Sequence, residues 1–315
     1  MQPPKRLLFH RLGDIAYRRV RRLPAVTEGR WDLIHAHQAL PDGALAQRLA
    51  RDLRVPYVVT VHGADVYQHL RMGGGVGKRA RAVLGAADAV MANSSAVARL
   101  LTGVVAPQRL TVVLNGTTGL GQVVEPADDY LPGEPLVLTV GYLIERKGIR
   151  DLVAALGRLH RQDRAVHLAI VGDGPLRGAL QAQAAQEGVA QSVHFLGRVP
   201  HARVLALMAR AQLVAVPSWD EAFGLVYTEA MAQGTPVVAG RGEGPEDFIT
   251  DRVSGYLAPV RSPDALASII TEVLDDPAKA AAMGAAGRTA ALELSWERNA
   301  KLTFGVYEQV LAKAP

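Results

Sequence analysis

Residues 213–240 read LVAVPSWDEAFGLVYTEAMAQGTPVVAG. Leu213–Val216 is a short apolar run of strand type, and Val237–Ala239 is another. Between them a loop opens at Gly224 into a helical stretch that runs to Gln233 and closes on a Gly-Thr-Pro turn. Strand, loop, helix and strand in this order make a βαβ unit of a parallel sheet. Two carboxylates punctuate it: Glu221 in the loop and Glu229 about a turn and a half into the helix.

Outward from this unit the same rhythm fills the second half of the chain. Strands are expected at Leu136–Val140, Val166–Val171 and Val193–Phe195, with helices at Lys147–His160, Pro175–Glu187 and His201–Ala209. Further helices are expected at Pro263–Leu274, Pro277–Glu293 and Trp296–Ala312. The first half repeats the alternation. Its strands are expected at Asp32–Ala36, Tyr57–Val61, Ala89–Ala92 and Leu110–Leu114, and its helices at Asp42–Leu53, Val76–Ala86 and Ser95–Leu101. Gly116–Pro135 has no period and reads as a linker. The fold class is therefore α/β, with two Rossmann-like parallel-sheet domains. The expected boundaries are 1–120, 130–295 and a last helix at 296–315.

Composition narrows the chemistry. The chain has 315 residues, 49% of them hydrophobic, 21% charged and none cysteine. That removes a thiolate zinc site, a disulfide scaffold and a cysteine nucleophile. No run reaches the length of a membrane span, and the first residues lack a secretory signal, so a cytoplasmic location is the expectation. Residues 1–125 carry 17 Lys and Arg against 8 Asp and Glu, and the remainder carries 18 against 22. The basic run Lys5, Arg6, Arg11, Arg18, Arg19, Arg21, Arg22 and Arg30 is mixed with Leu7, Leu8, Phe9, Leu12, Ile15 and Tyr17. It reads equally as a peripheral contact with an anionic membrane face or as a solvated arginine-rich helix. Aromatic residues are only 5% of the chain, too few for stacking platforms, so nucleic acid is not an expected partner.

Ligands of such sheets sit beyond the carboxyl ends of the strands, so the loops there carry the chemistry. Gly224 stands where free N–H groups and the helix dipole favour an anion. Glu229 is suited to accept from two vicinal hydroxyls. Gly141 ends a strand in VGYLIERKGIRDLVAAL (140–156), and Lys147 at the following helix start can reach a diphosphate as a point charge. Taken alone, Arg146 and Lys147 read as solvated helix-start residues. VGDGPLRGAL (171–180) turns on Gly172, a weak signal by itself. In the first half, His62 precedes Gly63 at a strand end, a better setting for function than most lone histidines have.

The segment 217–240 resembles the E-x7-E region of retaining family-4 glycosyltransferases, which have the GT-B fold of two domains facing a cleft. The resemblance implies that Glu221 contacts the donor sugar and Glu229 the ribose. It implies that the backbone at Phe223, Gly224 and Leu225 holds the diphosphate together with Lys147. Tyr142 stands where the family has an arginine, and Arg146 is the candidate substitute. FLGRVPHARV (195–204) resembles the stretch that reads the nucleobase, giving Arg198 and Val199. GEGPEDFITDRVSGYL (242–257) resembles the turn beside the donor sugar, with Glu246 as its candidate. His62 would face the reacting sugar, with His37 and Asp65 on the acceptor side.

The implied reaction is transfer of a hexose from UDP- or GDP-sugar to a hydroxyl, with retention and with no metal or other cofactor. A nucleotide-sugar epimerase or hydrolase, and a non-catalytic chain that binds nucleotide or a partner, are the rival readings. The resemblance runs from about Trp31 onward, which makes the first domain unusually short. A late start, a natural minimal form, and an edge covered by a partner or a second copy all fit. The acceptor is unknown, and a lipid-linked sugar suits the basic first half.

Overall fold

Short apolar runs build two parallel sheets whose central strands are buried on both faces, as all-parallel sheets require. The computed structural model describes residues 9–117, 124–125 and 135–313. The expected linker at 116–135, and Lys5, Arg6, Leu7 and Leu8, fall largely or wholly outside them. The described part of Met1–Asn115 with Glu297–Pro315 forms one unit, and Gly116–Trp296 forms a second.

In the first unit four strands lie in chain order: β1 (Ile34–His37), β2 (Tyr57–Val61), β3 (Ala89–Ala92) and β4 (Leu110–Val112). All pairings are parallel, with Val58 opposite Ala89 and Val61 opposite Ala92. Short helices α1 (Leu12–Val20) and α2 (Pro24–Thr27) precede the sheet, and α3 (Ala44–Leu53), α4 (Gly74–Ala86) and α5 (Ser95–Leu100) connect its strands. The sequence places the start of α3 at Asp42. It starts at Ala44, because Ala39–Gly43 form a π turn of their own in which Leu40 is still extended (φ −138°, ψ 136°). Ser94 caps α5 through its hydroxyl, which accepts from the Val97 N–H at 3.1 Å. Val306 and Val310 of the last helix, α12 (Trp296–Leu311), pack on Val58, Ala89 and Met91.

The basic N-terminal segment is tied down on one side. Asp14 of α1 accepts from Arg48 at 2.5 Å and from Arg79 at 3.3 Å, and the Tyr17 hydroxyl donates to Asp52. Arg11, Arg18, Arg19 and Arg22 are exposed, as are Leu12 and Ile15, and Arg21 is exposed while donating to the Tyr17 hydroxyl at 3.3 Å. No helix among the described residues is long and apolar enough to cross a membrane.

The second unit holds six parallel strands: β5 (Leu136–Val140), β6 (His167–Val171), β7 (Val193–Gly197), β8 (Leu213–Val216), β9 (Val237–Gly240) and β10 (Tyr256–Ala258). Their order is β10-β9-β8-β5-β6-β7. Helices α6 (Ile149–His160), α7 (Arg177–Gln186), α8 (His201–Arg210), α9 (Leu225–Ala232), α10 (Pro263–Asp275) and α11 (Pro277–Leu292) cover the sheet. One face buries Leu152, Leu156, Leu168, Leu213, Leu266 and Ile270 in a single cluster. The chain winds outward from β5 to β7, then returns to lay β8 on the other side of β5. The strand order reverses between β5 and β8, and the carboxyl end of that junction is where such sheets open a crevice.

Candidate active site

The loops after β5 and β8 meet at this reversal. Gly148 lets them meet. It has φ +67°, and a Cβ there would lie 2.4 Å from the Pro217 carbonyl oxygen. This left-handed residue also explains why the helix expected from Lys147 starts at Ile149, after a 3-10 turn at Glu145–Lys147. The Lys147 ammonium then lies 2.6 Å from Glu221 Oε2. The two side chains are 14% and 11% exposed, so the pair is little screened by water.

Glu221 is held from several sides. Ser218 Oγ donates to its Oε2 at 3.1 Å and lies 2.9 Å from the Tyr227 hydroxyl, which donates to the Val216 carbonyl at 2.5 Å. Burial first, and the Glu221 charge second, push the Tyr227 phenol well above its ordinary range. The backbone N–H of Glu221 donates to Glu243 at 2.8 Å, and that of Asp220 also serves Glu243. Burial pushes the Glu243 carboxyl up despite these donors. Arg146 turns toward the same loop and donates to the Asp220 carbonyl at 3.3 Å. Tyr142, where the resemblance expects arginine, is 53% exposed.

Gly224 precedes α9 with φ +86° and ψ +72°, and no side chain caps the helix. The Tyr227 N–H donates to the Gly224 carbonyl at 3.1 Å, which leaves the N–H groups of Leu225 and Val226 to face a ligand. The Phe223 side chain is buried beside Phe248, so only its backbone is available, whereas Leu225 is exposed. Farther along α9, Glu229 Oε1 lies 3.1 Å from His201 Nε2. Gly172 has φ +126°, and a Cβ there would lie 1.9 Å from the Gly141 carbonyl oxygen, so these glycines close the turns of β5 and β6 on each other. Arg198 is exposed and Val199 half-buried in the turn between β7 and α8. Glu246 accepts from the Gly242 N–H at 2.6 Å and closes its own turn.

The first unit gathers three histidines at the ends of β1 and β2. His37 Nδ1 and His62 Nε2 are 2.8 Å apart, and their rings stack at 17° with centroids 5.1 Å apart. His35 Nε2 lies 2.8 Å from Thr60 Oγ1, and its Nδ1 lies 2.6 Å from the Tyr307 hydroxyl of α12. Asp65 lies three positions after His62. It is fully buried, and its oxygens accept from the backbone N–H groups of Ala39 at 2.5 Å and His62 at 3.1 Å. Each oxygen holds one backbone donor, so Asp65 clamps the backbone that carries His62.

Residues 128–290 match the model of glycosyl transferases group 1, and residues 2–118 match that of Glycosyltransferase Family 4. The chain belongs to the group 1 glycosyltransferases. The glycogen synthase of Mycobacterium tuberculosis strain H37Rv is 31% identical over 298 residues, which are 92% of this chain and 71% of that protein. The D-inositol 3-phosphate glycosyltransferase of Segniliparus rotundus is 32% identical, over 90% of this chain and 67% of that one. Sucrose-phosphate synthase from Thermosynechococcus elongatus has a TM-score of 0.78 at 28% identity, covering 99% of this chain and 81% of that structure. Anabaena Alr3699/HepE, solved in complex with UDP-glucose, shares the fold at a TM-score of 0.74 and 23% identity, over 99% of this chain and 84% of that one.

Family likeness in this glycosyltransferase reaches farther upstream than its motifs do. The motif resemblance starts near Trp31, while the family-4 match starts at residue 2 and takes in α1 and α2. Sequence reasoning missed Glu243, His201, His35 and Tyr307, because each works through a partner distant in the chain.

The histidines give the transferase a pH signature. Burial, then the neighbouring His37 and His62, lower the His35 pKa from 6.5 to about 4. Burial lowers His62 and His69 as well. On acidification the unfolded chain takes up these protons first, so stability is lost as pH falls from 6.5 toward 4. Urea unfolding followed between these limits should show the loss, and His35→Gln should flatten it. An unchanged slope in that variant would remove His35 from the explanation.

Proposed function

We propose that the chain transfers a sugar from a uridine or guanosine diphosphate donor to an acceptor hydroxyl, with retention of configuration. The observation that carries this reading is the Lys147–Glu221 pair at the β5–β8 reversal, beside the uncapped start of α9. A cation and a helix N-terminus suit a diphosphate, and a buried carboxylate beside them suits sugar hydroxyls. In this reading Lys147 and the N–H groups of Leu225 and Val226 take the diphosphate charge. Glu229 takes the ribose, Arg198 and Val199 take the base, and Glu221 takes the donor sugar.

The bond between the anomeric carbon and the diphosphate oxygen breaks as the acceptor oxygen bonds to that carbon on the same face. The departing oxygen accepts the acceptor's proton. Charge growing on the leaving group meets donors already in place, so the reading assigns no metal to the step. Burial keeps His62 neutral near pH 7, as a hydrogen-bonding group rather than a charge.

Calorimetric titration with UDP and GDP tests the donor site. One of them should bind, and Glu229→Ala should weaken it by roughly tenfold or more, the loss of hydrogen bonds to a charged group. Equal binding by the variant would take the ribose away from Glu229.

A further inference from the structure

Glu229 does not stand alone on α9. Its Oε1 lies 3.1 Å from Nε2 of His201, the first residue of α8. A carboxylate oxygen can only accept, so the ring must carry its proton on Nε2 and donate. This fixes the tautomer of His201 and the plane of the Glu229 carboxylate together. The side chains are 60% and 20% exposed, so the contact lies at the mouth of the site rather than in the core.

Its position in the chain gives the contact a use. His201 opens α8 three residues after Arg198 and two after Val199, which lie in the β7–α8 connection. Glu229 stands five residues after Gly224 on α9. The His201–Glu229 bond thus links the turn assigned to the base with the helix assigned to the diphosphate and ribose. A free carboxylate on a helix samples several rotamers, whereas one tethered at Oε1 leaves Oε2 and the remaining lone pairs in one place. Vicinal ribose hydroxyls demand such a fixed acceptor pair, because a rotation that serves one hydroxyl withdraws from the other.

We infer that His201 is the positioning residue of the ribose clamp and thereby sets the preference for ribonucleotides over 2′-deoxyribonucleotides. The inference rests on the assignment of Glu229 to the ribose. It adds to that assignment a residue outside the E-x7-E segment and a property of the ligand that this residue controls.

The test is calorimetric titration of the full chain with UDP, GDP and their 2′-deoxy forms. Wild type should prefer the ribonucleotide by roughly tenfold, the worth of one hydrogen bond to a charged acceptor. His201→Ala should reduce that preference to about twofold or less. His201→Gln, whose amide N–H reaches in the same direction, should restore most of it. A residue with only a structural role would change both affinities equally and leave the ratio intact. Glu229→Ala should abolish the preference altogether. Loss of the ratio in Glu229→Ala with an unchanged ratio in His201→Ala would overturn the role of His201 and leave the clamp standing. An unchanged ratio in Glu229→Ala, or binding of neither ribonucleotide by the folded wild type, would overturn the clamp and the inference with it.

Discussion

Glu221→Gln should lower turnover by roughly two to three orders of magnitude while nucleotide affinity stays within about threefold of wild type. The separation follows from the pair it belongs to. The Lys147 ammonium lies 2.6 Å from Glu221. Removing the carboxylate charge frees the ammonium for the diphosphate, so binding is spared, while the group meant for the sugar is lost. Lys147→Met should do the reverse and weaken nucleotide binding. It also leaves the Glu221 carboxylate buried without its cation, which should cost about 2–4 kcal/mol of stability. The double variant should recover much of that loss, because a neutral amide beside a thioether leaves no charge uncompensated. Urea unfolding of the four proteins measures the coupling. Additive losses would show that the two side chains do not depend on each other.

Gly224→Ala should be as damaging by another route. At φ +86° an L-residue is strained, and a Cβ there would lie 2.3 Å from Cε2 of the Tyr227 ring. That ring cannot retreat: Tyr227 is fully buried, and its hydroxyl is held by Ser218 and by the Val216 carbonyl. Either the loop or the ring must move, at a cost of about 2–4 kcal/mol. Both movements disturb Ser218, which holds Glu221, and both turn the first N–H groups of α9 away from their common target. Stability and nucleotide affinity should therefore fall together, and denaturation and titration of the same preparation check this. Wild-type values for both would mean that the start of α9 tolerates a side chain and has no part in binding.

The strands were legible where apolar runs are bounded by turn residues. Leu136–Val140, Leu213–Val216, Tyr57–Val61 and Ala89–Ala92 are strands with the limits read from sequence. β10 was missed because three residues after a turn, Tyr256–Ala258, have no room for a period. In the second unit, Lys147, Glu221, Gly224 and Glu229 stand out in the sequence because each lies in a motif confined to one connected stretch or one turn. The residues that hold them were not. Glu243 reaches Glu221 across 22 positions, His201 reaches Glu229 across 28, and Tyr307 reaches His35 across 272. Nothing local in the sequence encodes such partnerships. Asp65 shows the same limit from the other side. Its acidic side chain beside a histidine suggests chemistry, and only the N–H of Ala39, 26 positions away, reveals a backbone clamp.

The most direct test of glycosyl transfer is proton NMR of the reaction of UDP- and GDP-sugars with a panel of hydroxyl acceptors. Release of UDP or GDP should depend on acceptor, and the new linkage should keep the donor's anomeric configuration, with both signals lost in Glu221→Gln. Release without transfer, an inverted linkage, or equal turnover by the variant would contradict the account.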